Sequence, residues 1–100
     1  MKISLHTFCR NEARILPFFF QHYRSWIDHI TVHDNESTDN SVSICKENGA
    51  EVHSFSSEGQ HPEPVYLTPL RNSAIQDAKN RGDDWLIVCD ADELLWAAEI

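Results

Sequence analysis

Apolar, β-rich runs alternate along this chain with stretches of helical period, and that alternation constrains the fold more than any other feature. In residues 2–8, Ile3, Leu5 and Thr7 alternate with Ser4 and His6, the pattern of a strand. Residues 28–33 and 50–55 read as a second and a third strand. Residues 85–89, Trp85-Leu86-Ile87-Val88-Cys89, form a continuous apolar run suited to burial on both faces. Between these runs, apolar side chains recur at helical spacing. They are Leu16, Phe19, Phe20 and Tyr23 in residues 16–26 with Ile27 next in the same spacing, then Val42, Ile44 and Cys45 in residues 40–47, then Leu70, Ala74, Ile75 and Ala78 in residues 66–81. Pro17 and Pro69 fall in first helical turns, where proline is tolerated. Asn11 is expected to cap the first helix with Glu12 behind it, and Ser37 or Thr38 to cap the second. Asn48-Gly49 and Gly82 supply the stops. The order is βαβαβαβ, which predicts a three-layer α/β/α, Rossmann-like domain with a mostly parallel sheet and right-handed crossovers.

One hundred residues make one domain or part of one. The net charge of −8, with no cluster of Lys and Arg, argues against nucleic acid or anionic membrane as main partners. No apolar stretch approaches the ~20 residues of a membrane span. The start, Met1-Lys2-Ile3-Ser4-Leu5-His6, turns polar too early for a secretory leader, so a cytoplasmic location is expected. Cys9, Cys45 and Cys89 are odd in number and lack CxxC spacing, which reads as reduced thiols. Cys45 and Cys89 fit as core fillers, whereas Cys9, just past the first strand, is a candidate reactive thiol. His6, His22, His29, His33, His53 and His61 show no metal-ligand spacing and read as ordinary.

Three polar clusters follow strands: Thr7-Phe8-Cys9-Arg10-Asn11-Glu12, Asp34-Asn35-Glu36-Ser37-Thr38-Asp39 and Asp90-Ala91-Asp92-Glu93. In parallel sheets ligands bind outside the carboxyl ends of the strands, so all three clusters belong on one rim. Acidic groups gathered at a strand end repel one another, more strongly as water is excluded. A hard cation such as Mg²⁺ or Mn²⁺ relieves the repulsion, and Mg²⁺ commonly takes one or two carboxylates together with substrate phosphates. Asp90 and Asp92 are therefore candidate metal ligands. A solvated acidic turn is the competing reading of the same residues. Neither GxGxxG nor GxxxxGK[ST] is present, so a diphosphate would have to be held by metal and side chains.

The chain resembles the amino-terminal, nucleotide-binding half of a family 2-type glycosyltransferase with the GT-A fold, over essentially its whole length. The resemblance is carried by Arg10-Asn11-Glu12, Asp34-Asn35-Glu36-Ser37-Thr38-Asp39, Leu70-Arg71-Asn72 and Asp90-Ala91-Asp92-Glu93, with Leu16-Pro17 and His22-Tyr23 between the first two. It implies a nucleotide-sugar partner of UDP- or GDP-sugar type and a divalent cofactor, Mg²⁺ or Mn²⁺. By position, Thr7, Phe8 and Arg10 would cradle the base, with Asn11 and Glu12 in the same loop. Asp34 would accept from base or ribose, with Asn35 beside it, and Arg71 and Asn72 would approach the nucleotide. Asp90 would meet the ribose or a metal-bound water, Asp92 would ligate the metal directly, and Glu93 would stand behind it. Family members often place an aromatic where Arg10 stands, and a guanidinium can stack on a base while adding charge. The catalytic base of the family lies beyond the acidic motif, so no catalytic residue is assigned among these residues. The chain is expected to be a fragment that does not turn over by itself. A non-catalytic nucleotide-binding module, self-associating through an exposed sheet edge, is the alternative. A haloacid-dehalogenase-like phosphatase would need an Asp after the first strand, which is absent.

Overall fold

A computed structural model describes residues 1–59 and 66–93. Its elements run β1 (Ile3–Cys9), α1 (Leu16–Tyr23), β2 (His29–Asn35), α2 (Ser41–Glu47), β3 (Glu51–Phe55), α3 (Leu67–Arg81) and β4 (Trp85–Asp90). The strands form one sheet in the order β3-β2-β1-β4, and every neighbouring pair is parallel. The expected α/β architecture is what the chain adopts.

The register is pinned at the amino ends by two aspartates. Asp28, just before β2, accepts from the Ile3 amide at 2.7 Å and returns its own N–H to the Ile3 carbonyl at 2.8 Å. Asp84, just before β4, does the same with Lys2, at 2.7 and 2.8 Å. β1 is thus clamped from both sides and sits at the centre of the sheet, with all but Phe8 of its residues buried.

The two faces differ in chemistry. On one, Leu5, Cys9 and Val32 meet Leu16, Phe19, Phe20 and Tyr23 of α1 and Cys45 of α2 in one apolar core. The positions i, i+3, i+4 and i+7 of α1 give it a single buried stripe. Burying an aromatic side chain of this size contributes about 1.5–3 kcal/mol. The opposite face presents Ser4, His6, Thr31 and His33, all buried although polar. α3 covers it with small residues, Ala74 and Ala78, together with Leu67.

Several local expectations are corrected. α1 ends at Tyr23 rather than near Trp26, because residues 24–26 turn to bring Ile27 into the core and Asp28 to β1. The Trp26 indole donates to the freed His22 carbonyl at 3.0 Å. β2 extends to Asn35, so Asp34 and Asn35 belong to the strand, not to the turn after it. Neither Ser37 nor Thr38 caps α2, whose first turn is tied instead by Asp39 accepting from the Ser41 amide at 2.9 Å. Asn11 does not cap α1; it takes a left-handed conformation with φ 53° and turns its side chain to the loop after β2. Ile75 is 46% exposed, one position off the buried stripe of α3. β4 is not covered on both faces: among the described residues it is an edge strand, with Trp85 63% exposed. Residues 56–63, rich in Ser, Gly, Pro and Glu and so expected as a loop, are described only as far as residue 59, and His61 and residues 94–100 lie outside the described residues. No helix among the described residues is long and apolar enough to cross a membrane.

Candidate functional site

The strand order reverses at β1: β2 and β3 lie to one side of it and β4 to the other. Such a switch opens a crevice at the carboxyl ends of the diverging strands, because their outgoing connections run to opposite faces. A cleft of ≈ 220 Å³ lies there. Phe8, Arg10, Glu12, Asn35, Asp90 and Asp92 line it, with Phe55 and Leu67 as apolar wall and Cys9 and Ala91 completing it. The registers Cys9↔Asp34 and Phe8↔Asp90 place the ends of β1, β2 and β4 on one rim, as expected for all three clusters.

The loops after β1 and β2 clasp each other. The Asn11 side-chain carbonyl accepts from the Thr38 amide at 2.7 Å and the Asp39 amide at 3.3 Å. In return the Asn11 amide donates to the Ser37 hydroxyl at 2.9 Å, and the Glu12 amide to the Ser41 hydroxyl at 2.9 Å. Asp34 underlies this clasp. Its carboxylate accepts from the Ser37 amide at 3.0 Å and the Ser37 hydroxyl at 2.6 Å, closing an Asx turn. Asp34 is buried and does not line the cleft, so its position suits holding the loop more directly than meeting a base. Asn35 lines the cleft but spends its amide on Ser57, donating to the hydroxyl at 2.9 Å and accepting from the amide at 3.2 Å. That fixes the loop after β3. Ser57 is fully buried and was not foreseen; a lone Ser in a Ser-rich stretch gives no sequence signal.

The acidic turn is also built rather than loose. The Asp90 amide donates to the Glu93 carboxylate at 2.8 Å, and the Glu93 amide to the Asp90 carbonyl at 3.0 Å. Tyr23 of α1, fully buried, donates its hydroxyl to the Glu93 carbonyl at 2.8 Å. The helical spacing marks Tyr23 as core; its hydroxyl also carries the turn. Asp90 and Asp92 are both exposed and face the cleft. Across it, the carboxyl of Glu12 is pushed above the usual range, first by burial and then by the charges of Asp92, Asp39 and Asp90. Among the described residues no three His, Cys, Asp or Glu side chains gather closely enough to hold a metal by themselves. Two neighbouring carboxylates with room beside them suit a hard cation that keeps its waters or takes phosphate oxygens.

Of the other foreseen residues, Phe8 forms the floor of the cleft, and the Arg71 guanidinium lies 5.6 Å above its ring centroid, within cation–π range. Thr7 is buried on the α1 side of β1 and is not brought to the cleft, because alternation along the strand points it away from Phe8. Asn72 is exposed and does not join the cleft lining. Cys9 is buried, and burial pushes its thiol up, so it is not an activated nucleophile. Burial likewise pushes Cys45 up to about 12 and Cys89 up to about 11. Three of the histidines are brought together. His6, His33 and His53 stand side by side on adjacent strands, with ring centroids 5.2 and 5.9 Å apart.

No family model matches this chain, and no curated protein matches it. Solved structures do. The chain is similar to glucosyl-3-phosphoglycerate synthase of Mycobacterium tuberculosis, at 18% identity and a TM-score of 0.62 over 92% of this chain and 35% of that one. The same enzyme in complex with uridine diphosphate gives 18% identity and a TM-score of 0.62, over 92% of this chain and 34% of that one. The chain therefore has the fold of a part of these GT-A-type glycosyltransferases and spans about a third of their length.

Proposed function

We propose that this chain is the nucleotide-sugar-binding part of a glycosyltransferase of family 2 type, with Mg²⁺ or Mn²⁺ held at Asp90 and Asp92. One observation carries the reading: Arg10 and Glu12 after β1, and Asp90 and Asp92 after β4, meet in a single cleft at the switch point of a parallel sheet. The likeness to a UDP-binding synthase supports the same choice of ligand. At ≈ 220 Å³ the cleft is below the ~300–1,000 Å³ of complete ligand pockets, so it fits part of a nucleotide and not the whole donor.

In this reading Phe8 offers a flat apolar surface at the base end of the cleft, and Arg71 is held over it by the ring. Arg10, exposed at the rim, supplies positive charge or a stacking plane. Asn11, Asp34 and Ser37 keep the loop after β1 in place, and Asn35 steadies the far wall. Thr7 supports Phe8 from within the sheet, and Asn72 stands on the outer surface of α3. A bound cation would supply Lewis-acid stabilisation of charge building on the leaving diphosphate. Glu12, facing the same acidic turn, would be repelled by a bare diphosphate, which makes nucleotide affinity depend on the cation.

Calorimetry with UDP, with and without Mn²⁺, tests this. Binding that needs the metal and disappears in Asp92→Ala supports the reading. No binding in either case would refute it and favour a non-catalytic scaffold. Sugar transfer is not expected of these residues alone, since the base and acceptor site of the family are placed further along.

A further inference from the structure

We propose that His6 and His33 form a proton-operated latch beneath α3, which holds that helix and Phe8 in place at neutral pH and releases them in mild acid. The two imidazoles meet across β1 and β2, with His6 Nδ1 and His33 Nε2 3.0 Å apart. Both rings are buried, and they stack at 20°. That contact needs one N–H and one bare nitrogen. A single proton can be accommodated on His6, which then donates Nδ1–H to His33 and turns Nε2–H toward Asp77 of α3, 3.7 Å away. A second proton, on His33, sets two N–H groups against each other, and the contact is lost.

The groups around the pair come from every covering element. β2 adds His29, and β3 adds Glu51 and His53, joined at 2.7 Å. α3 adds Asp77 and Arg81, themselves paired at 3.3 Å. β4 places only the apolar Val88 beside His6. Asp77 and Glu51 favour protonation, but burial outweighs them, and both histidines are held below their usual range, His33 at about 4. A cleft of ≈ 380 Å³ between the sheet and α3, lined by His6, His33, His53 and Asp77, gives the proton a way in.

Release would act locally, because α3 is docked by small side chains while the aromatic core lies on the other face. It would also reach the cleft. His33 lies against Phe8 with centroids 5.5 Å apart, and Phe8 lies under Arg71. The latch does not depend on what the cleft binds, and its test uses no nucleotide.

Hydrogen exchange of the 100-residue chain, corrected for intrinsic rates, is compared at about pH 7.5 and about pH 5.5, above the pI of ≈ 5.0. For His33 alone, linkage predicts an about tenfold loss of α3 protection, through an opening that leaves α1 closed, so that α3 exchanges faster than α1 at both pH values. In His33→Gln the loss should shrink below about twofold, since the amide cannot take up a proton. If that variant does not fold, NMR titration of the wild-type His33 ring decides: it must titrate below its ordinary range. Equal protection of α1 and α3, no loss in α3, an undiminished response in His33→Gln, or a normal His33 titration overturns the latch.

Discussion

Tyr23→Phe separates the two duties of one side chain. The ring is fully buried among Phe19, Trp26 and the rest of the core, with the Phe19 centroid 4.9 Å away. Phenylalanine preserves that packing almost unchanged. What goes is the hydroxyl, which donates to the Glu93 carbonyl at 2.8 Å and lies 3.9 Å from Cys89 Sγ. A neutral hydrogen bond contributes about 0.5–1.5 kcal/mol net, and a carbonyl left without its donor costs about 1–3 kcal/mol. Water reaches the part-buried Glu93 carbonyl, which favours the lower end, so a loss of about 1 kcal/mol is expected. For a domain of this size that lowers Tm by about 4–8 °C. The acidic turn also loses its tie to α1, so Asp90 and Asp92 are less well placed. If that looseness costs a further ~1 kcal/mol in the bound state, UDP affinity in the presence of Mn²⁺ falls about fivefold. Thermal melting and calorimetry on the same sample read both effects. An unchanged Tm together with an unchanged affinity would refute the assignment. A lowered Tm with full affinity would show that the hydroxyl stabilises the fold without positioning the turn.

Asn11→Gly should weaken the clasp between the loops after β1 and β2, and Asn11→Ala should cost about 1 kcal/mol more, because alanine resists the positive φ; urea unfolding of the two variants checks the difference. Gly82→Ala, at φ 72° with nothing within 4 Å of an added Cβ, should cost about 1 kcal/mol from backbone strain alone, which thermal melting reads. Folding stability should be highest above the ordinary histidine pKa and fall as pH drops toward 4, since His33 must stay neutral in the fold; the full effect is about 3 kcal/mol, and denaturant midpoints at stepped pH values measure it. Chelating the divalent metal should abolish nucleotide binding while leaving Tm in nucleotide-free buffer within about 1 °C, and a nucleotide affinity that survives chelation would refute a metal at Asp90 and Asp92.

The alternation of strand and helix was legible because each run has its own period, and the apolar stripe of α1 was read residue by residue. The common rim followed from the same alternation, since parallel strands bring their carboxyl ends together. The caps were not legible. Asn11 and Ser37 have the right chemistry for caps, yet they serve a partner about 26 residues away, and local reading favours local partners. Thr7 was placed at the site by its nearness to Phe8, although a strand sends neighbours to opposite faces. The histidine row was invisible because its members lie on three strands, and only the register lines them up. Exposure along β4 could not be read from its apolar run, since that depends on what lies beside the strand.

Asp28 and Asp84 sit at the end of the sheet farthest from the cleft, yet they govern how the cleft can change. Each grips the first residues of the central strand with a pair of short bonds, so neither flanking strand can slide by one position without breaking both. A slide would turn Val32 out of the aromatic core to the polar face beneath α3 and carry Asp90 away from Phe8. With alignment guarded at the bottom, the tips of the loops are free to vary in length and composition. A descendant could then exchange one ligand for another by rewriting those tips alone, leaving the foundations as they stand.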